Sequence, residues 1–406
     1  MTRATSAARM PLILSEGRFA FRRAMRLTGE QIYATIALVH KTTFQYRLYP
    51  TSHQETILRD TLEECRWVFN ETLAIRKKTW EEKKKTLSNY DTHNLLTKWK
   101  KTRPSLKNVH SQVLQNVQER VDLAFMAFFR RVKTGDKEVG YPRFRGKGRY
   151  DSFTYPQSGF KLNGDVLYLS KIGDVRVVLH RQVDGRVKTC TIRRTPTNKW
   201  FVTFSCEIKP KPLKPNSIQV GIDVGLNQFA TLSTGETIEN PRFFRRDEKY
   251  LVKYQSKRDR AVKGSPQRRK FAKIVRHIHE RIANRRKDFV HQQSRRIINR
   301  FGFIAVEDIQ SSQMLHNHCL AKSISDVAWG DFLAKLSYKA EYAGRNLVRV
   351  NPAYTSQDCS RCGHRQLLKL SDRQYNCPCC GLSIDRDLNA SLNILARGRT
   401  AWVSNP

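Results

Sequence analysis

No apolar run in this sequence reaches the roughly 18 residues that carry a helix across a bilayer, which argues against a membrane protein. Acidic residues are scarce as well: 36 Asp and Glu face 75 Lys and Arg, a formal net charge of +39. Self-repulsion of that size opposes compaction unless a polyanion neutralises it. The imbalance therefore points to nucleic acid, although basic structural proteins share it and it does not specify an activity. A disulfide framework is also missing. Of nine cysteines, Cys65, Cys190, Cys206 and Cys319 lie singly, as small buried apolar residues do. The other five crowd between positions 359 and 380, which suggests metal in a reducing compartment. No secretory signal is evident. The first 40 residues carry six Arg against two Glu, with later methionines at Met10 and Met25. They suit a poorly ordered basic extension, or an upstream start codon, better than a transit peptide.

What remains is ordinary for a folded chain. Its 406 residues, 39% hydrophobic, leave room for two or three domains with cores of their own. Thr42–Tyr49 alternates as a strand does, and Pro50 ends it. Residues 53–85 read as a helix on the spacing of Ile57, Leu58, Leu62, Cys65, Val68 and Leu73. A second helix is expected over about 106–133, with Val113, Leu114, Val117, Val121, Phe125, Phe128 and Val132 on its core face. From Gly140 to about Pro210 the period falls to two. Turns at Asn163-Gly164, Gly173-Asp174 and Asp184-Gly185 separate short strands, a spacing that suggests a barrel or sandwich. The strand at 42–49 is expected to join it, leaving the helices as an insertion, with Lys211–Pro215 as a linker.

Ser217–Asp223 is an apolar strand that ends in a carboxylate, and Phe229–Leu232 returns beside it as a hairpin. After a long helical stretch, Phe303–Glu307 delivers a second strand-end acid; a helix near 325–343, the strand Leu347–Val350 and a final helix opening at Asp385 follow. Hairpin, helix, strand, helix, strand, helix is an RNase H-like α/β layout. Two-metal phosphodiester hydrolysis needs hard oxygen ligands around two Mg²⁺ ions about 3.5–4 Å apart. Asp223, Glu307 and Asp387 occupy suitable positions as catalytic Mg²⁺ ligands. Asp385 competes with Asp387, since one of the two is expected to cap the helix. His316-Asn-His318 is expected to be an exposed loop rather than a metal site.

Cys359-Ser-Arg-Cys362 and Cys377-Pro-Cys-Cys380 form two C-x2-C knuckles, each followed by glycine, which suits one structural Zn²⁺ held by Cys359, Cys362, Cys377 and Cys380. Cys379 is the ambiguous fifth. Residues 242–300 carry 21 Lys or Arg against five Asp or Glu, more than solubility needs. Arg268, Arg269, Lys270, Arg285 and Arg286 are its candidate phosphate contacts. In the stretch Gly140–Arg149, read as a flexible loop, Tyr141, Arg143, Phe144, Arg145 and Lys147 interleave rings with cations, as backbone contact and base stacking require.

Taken together, Arg47–Pro50, Pro142–Phe144, Gly221–Gly225, Val306–Asp308, Thr355–Gly363 and Asp385–Ala390 resemble the landmarks of the TnpB family, nucleases encoded by insertion sequences and regarded as ancestral to type V CRISPR effectors. The resemblance covers roughly 42–397. It implies an α/β RNase H-like (RuvC) nuclease domain (216–350 and 383–397) with an inserted zinc ribbon (351–382). It also implies an N-terminal β-barrel, or wedge, domain (41–55 and 134–215) split by a helical recognition lobe (56–133), with a basic extension at 1–40 and a tail at 398–406. The family's third acid falls on Asp387. The implied activity is RNA-guided DNA endonuclease, with a transposon-derived guide RNA and double-stranded target DNA as partners, no small-molecule substrate, and a cytoplasmic, nucleoid-associated setting in a bacterium or archaeon. Guide pairing would read sequence while protein reads a short flanking motif. A guide-dependent binder or repressor without cleavage, or a transposition accessory protein, is the alternative.

Overall fold

The computed structural model describes residues 40–136, 139–309, 314, 321–369 and 372–403. The basic extension, His316 to His318 and Cys319 lie outside these. Residues 39–406 form one compact unit.

Strand β1 (His40–Tyr49) gives way at Pro50 to helix α1 (Ser52–Lys83). Thr51 caps it in a capping box: its hydroxyl accepts from the Gln54 amide at 3.3 Å, and the Gln54 side chain accepts from the Thr51 amide at 3.0 Å. Leu58, Leu62, Cys65, Val68 and Leu73 are buried, as their spacing required. The second expected helix begins later, as α3 (Ser111–Lys133), because Pro104–Asn108 winds into a 3₁₀ turn and Val109 is extended. Helix α2 (Asn89–Thr102), capped by Ser88, buries only Thr92, Leu96 and Trp99, too sparse a stripe to announce itself in the sequence.

The chain then returns to β1. Strands β2 (Ser152–Tyr155), β3 (Phe160–Asn163), β4 (Val166–Leu169), β5 (Gly173–Val178), β6 (Arg186–Arg194) and β7 (Trp200–Ile208) complete a seven-stranded antiparallel sheet in the order β2-β6-β7-β1-β5-β4-β3. β1 is central, paired with β7 from His40↔Ile208 to Leu48↔Trp200. The sheet curls so that its edges meet: the Tyr155 hydroxyl of β2 donates to the Ser170 carbonyl beyond β4 at 2.9 Å. Gly173-Asp174 is not a turn but the start of β5. The reversal lies before it, where Lys171 takes φ 73°.

The second sheet has five strands, β8 (Gln219–Val224), β9 (Gln228–Leu232), β10 (Thr237–Glu239), β11 (Phe303–Glu307) and β12 (Asn346–Val350), in the order β10-β9-β8-β11-β12. The first three are antiparallel; β8, β11 and β12 run parallel. Between β10 and β11 stands the helical hairpin α4 (Phe243–Arg260) and α5 (Pro266–Arg300). The single helix expected near 325–343 is two, α6 (Ala321–Val327) and α7 (Trp329–Ala343), parted by Ala328 at φ 59°.

Period-two alternation sorts this sheet into layers. Val220, Ile222, Ile304 and Val306 pack with Val290 and Ile297 of α5 and Phe332 and Leu336 of α7. Phe303, Ala305 and Val350 face the other way, onto Ile394 of the final helix α8 (Arg386–Val403). That second layer is very thin. A Cβ on Gly221 would strike the Ser391 carbonyl and lie 2.7 Å from the Leu395 amide; one on Gly398 would lie 2.5 Å from the Ala305 Cβ. Glycine at these two positions lets α8 lie directly on the strands.

Candidate catalytic and metal sites

The same alternation aims the acids. Asp223 stands two residues after Gly221 and Glu307 two after Ala305, so both project toward α8 from adjacent parallel strands. The register that pairs Ala305 with Gly221 and Val306 with Ile222 brings them side by side. Asp387 enters from the first turn of α8. Asp385 does the capping: its Oδ1 accepts from the amides of Asp387 at 2.9 Å and Leu388 at 3.0 Å. Asp387 lies 3.5 Å from the Arg386 guanidinium.

Burial, then the facing carboxylates of Glu307 and Asp387, push the Asp223 carboxyl well above its ordinary range, against a smaller pull from Arg386. Burial also raises Glu307, partly offset by the Thr355 hydroxyl, which donates to its Oε1 at 2.5 Å, and by Arg397. Like charges held in a partly dry site are costly unless a cation or protons relieve them. Hard carboxylate oxygens are the donors that Mg²⁺ takes, so these residues fit that ion. Among the described residues a second group of metal-ligand type gathers closely, its four ligand atoms all within 4.8 Å of one another.

That set is Cys359, Cys362, Cys377 and Cys380. Their sulfurs approach to 3.6 Å for Cys359 with Cys380 and for Cys362 with Cys377. A tetrahedral Zn²⁺ with Zn–S near 2.3 Å needs sulfurs about 3.8 Å apart, so the four can hold one structural zinc. Both knuckles turn alike: the Gly363 amide donates to the Cys359 carbonyl, the Gly381 amide to that of Cys377, and both glycines take positive φ. Burial pushes the Cys377 thiol up, but the amides of Cys380 and Cys379 and the neighbouring thiols outweigh it and hold it at about 6. Cys379 is exposed and outside the set. The hairpin of β13 (Gln374–Asn376) and β14 (Ser383–Asp385) carries the second knuckle between its strands and runs on into α8, and the hydroxyl of fully buried Tyr375 lies within hydrogen-bond reach of the Gln357 and His364 carbonyls of the first, at 3.1 and 2.9 Å. Cys65, Cys190 and Cys206 are buried among apolar neighbours.

The ten basic and aromatic candidates divide. Tyr141, Arg143, Phe144, Arg145 and Lys147 are exposed, with Tyr141 edge-on to Phe125 and Phe128. Their loop is not free in its backbone, however. The Asn70 side chain of α1 accepts from the Arg145 amide at 2.7 Å and donates to its carbonyl at 3.0 Å, pinning the segment. Lys270 is exposed, Arg269 reaches the Gly264 carbonyl, and Arg285 sits 3.6 Å from Asp247. Arg268 and Arg286 serve the fold. The first donates to the Arg258 and Ala261 carbonyls at the end of α4, and the second pairs at 2.8 Å with Asp326, which also accepts from the Phe244 amide at the start of α4.

Sequence reasoning missed the residues that join the ribbon to the acids: Thr355, Asp358, Asn389, Asn393 and Arg397. A signal was present. Asn389, Asn393 and Arg397 recur every fourth residue along α8, a polar stripe beside the sheet-facing Ala390 and Ile394.

The molecule is thus an α/β protein with an acid-lined site at the ends of its central parallel strands and a four-cysteine ribbon spliced in beside it. Comparison makes the assignment specific: the chain belongs to the TnpB family of insertion sequences. Residues 203–318 match the insertion-sequence family described as "Probable transposase", 329–394 the "Cas12f1-like, TNB domain", and 40–85 that transposase family's "Helix-turn-helix domain". In this structure 40–85 is a strand and one long helix, so no helix-turn-helix reading follows. Proteins named "Putative RNA-guided DNA endonuclease" are 36% identical over 89% of this chain and 90% of the relative in Streptomyces pristinaespiralis, and 32% identical over 87% and 92% in Escherichia coli K12 (InsQ). A Cas12f1 complex with sgRNA and target DNA superposes with TM-score 0.55 at 14% identity, covering 88% of this chain and 98% of that one, a likeness of fold alone. No helix among the described residues is long and apolar enough to cross a membrane.

Proposed function

We propose that this protein is an RNA-guided DNA endonuclease, directed by a transposon-derived guide RNA to double-stranded DNA beside a short flanking motif. The observation that carries the reading is the meeting of Asp223, Glu307 and Asp387 at one site, with the burial and like charge that a divalent cation relieves. Asp223 and Glu307 offer oxygens from adjacent strands and Asp387 from the facing helix. Bound Mg²⁺ would supply the Lewis acidity that phosphodiester hydrolysis requires. Four cysteines hold Zn²⁺ and keep the ribbon folded at the start of α8. The five-stranded sheet, with its antiparallel β8-β9-β10 and parallel β8-β11-β12, supports an RNase H-like (RuvC) core, and the curled seven-stranded sheet supports the wedge barrel interrupted by a helical recognition lobe. Exposed Tyr141, Arg143, Phe144, Arg145 and Lys147, with Arg269, Lys270 and Arg285, would meet nucleic acid.

The test is purification from cells expressing the gene with its native downstream flank, followed by sequencing of the RNA that co-purifies. The complex is then assayed for Mg²⁺-dependent cleavage of a plasmid matching that RNA's 3′ end, beside an Asp223→Ala control. A defined RNA and cleavage lost in the variant are expected. Defined RNA with tight target binding and no cleavage would make the protein a guided binder; random RNA would remove the guided reading.

A further inference from the structure

The acid-bearing strand β11 and the cysteine ribbon meet at one hydroxyl. Thr355 is 4% exposed, and its Oγ1 lies 2.5 Å from Glu307 Oε1 and 3.0 Å from the Pro352 carbonyl oxygen. A hydroxyl has a single proton to donate, and a carboxylate at the shorter distance is the stronger acceptor. The Thr355 main chain is held in turn. Its carbonyl accepts from Asn393 Nδ2 at 2.9 Å, and the same amide reaches the Asp358 carbonyl at 2.6 Å, one residue before the ligand Cys359. One turn earlier on α8, Asn389 donates to the Asp358 carbonyl at 2.8 Å and accepts from the Ser360 amide at 2.9 Å. Asp358's carboxylate takes Arg397 at 2.9 Å and Arg365 at 2.6 Å. An unbroken set of buried or half-buried hydrogen bonds therefore runs from the first cysteine knuckle, through the helix that carries Asp387, to Glu307.

We propose that Thr355 is the positioning residue for Glu307: its hydroxyl fixes the carboxylate by Oε1, leaving Oε2 to the site, and the ribbon sets where that hydroxyl stands. The inference rests on the catalytic reading above. Glutamate has freely turning side-chain torsions that burial on one face does not settle, whereas a charge-assisted hydrogen bond from a β-branched, buried donor does. A threonine methyl alone would fill the same space without fixing an oxygen.

Thr355→Val keeps the shape and removes the hydroxyl; Thr355→Ser keeps the hydroxyl. Both are compared with wild type and Asp223→Ala as zinc-replete, guide-loaded complexes. The readouts are Mn²⁺ binding by calorimetry, single-turnover cleavage, target-DNA affinity and melting temperature. Outer partners of metal ligands are worth about 10- to 100-fold, so Thr355→Val should weaken Mn²⁺ binding and slow cleavage by that factor at unchanged DNA affinity. Thr355→Ser should stay within about threefold of wild type on the same scale. Equal loss in both variants, or none in Thr355→Val, overturns the proposal. If Thr355→Val melts early, the assays are repeated well below its transition: a deficit that persists supports the role, and full recovery overturns it. A wild type that neither binds Mn²⁺ nor cuts, or an Asp223→Ala that does both normally, removes the catalytic reading and this inference with it.

Discussion

The cysteine site and the acid site lie on either side of Thr355 and are built on opposite plans. The cysteines come from two short knuckles close in sequence, and their sulfurs gather within 4.8 Å of one another. The acids come from two strands and a helix far apart in the chain. Soft ligands on local turns close a cage within a short stretch of chain. Hard, like-charged ligands are brought together only by sheet register, by glycines that let a helix lie on bare strand, and by hydrogen bonds from behind. The first plan makes a staple and the second an open site, and the residues between them make the second depend on the first.

The contrast breaks most visibly by removing the staple. Structural zinc contributes on the order of 10 kcal/mol to folding of such modules. Cys377→Ser should therefore abolish zinc binding, expose the ribbon to limited proteolysis and eliminate cleavage, while Cys379→Ser retains one zinc by atomic absorption. Cleavage that survives zinc loss would show that the acids do not need the ribbon. Next in size is Asp223→Ala. Loss of a catalytic group that acts in concert with others costs about a thousandfold or more in rate, and here zinc content, ribbon protection and target binding should be unchanged. A matching loss of zinc would erase the distinction between the two sites.

What the sequence disclosed follows the same divide. Cys359, Cys362, Cys377 and Cys380 were legible from spacing alone, because their geometry is local. Asp223 and Glu307 were legible because apolar strands of one period end in acids, and the order of elements placed them together. Asp385 and Asp387 were not separable by spacing; the capping hydrogen bonds to Asp385 depend on where β14 ends and α8 begins. Thr355 and Asn393 were invisible because their partners, Glu307 and the Asp358 carbonyl, are tertiary neighbours. Charge counting is blind to pairing for the same reason. Arg286 belongs to a basic run in sequence, but in the fold it faces Asp326, and no count of Lys and Arg shows which guanidinium turns inward. The loop at 140–149 has the composition of a free segment, and one side chain on α1, Asn70, fixes its backbone.

A smaller change sharpens the acid side alone. Gly221→Ala adds one methyl where α8 lies on β8, and overpacking of this kind costs about 1–3 kcal/mol. Because the obstruction is the Ser391 carbonyl, a backbone atom of the helix that carries Asp387, the helix must shift. Cleavage should fall while zinc content holds and the melting temperature drops by several degrees. Gly235, whose Cβ would meet nothing within 4 Å but whose φ is 86°, is the useful control, since an alanine there strains the turn after β9 without moving α8. Equal loss of cleavage in both would mean that general destabilisation, not the position of the helix, accounts for the effect.

The smallest effect is the most pointed, because its sign differs from that of an ordinary structural carboxylate. Asp223 has its carboxyl raised by burial first and then by Glu307 and Asp387, so in cation-free buffer the folded protein holds that proton to a higher pH than the unfolded chain does. Stability from this group is therefore present at low pH, and it is lost as pH climbs from the usual carboxylate range through the raised value. Asp223→Asn removes the charge and keeps the shape. At neutral pH without Mg²⁺ it should be more stable than wild type, because the variant carries no buried charge there. The gap should close as pH falls below about 4, where the unfolded carboxyl is protonated too. Adding Mg²⁺ should raise the melting temperature of wild type and leave the asparagine variant where it was, because a cation stabilises only the state that binds it. The measurement is a set of thermal melts across pH with and without Mg²⁺, on zinc-replete protein in both arms. An asparagine variant less stable than wild type at neutral pH would mean that Asp223 is held by favourable partners, as the sulfurs are. The acids would then be a second staple rather than a strained, open site.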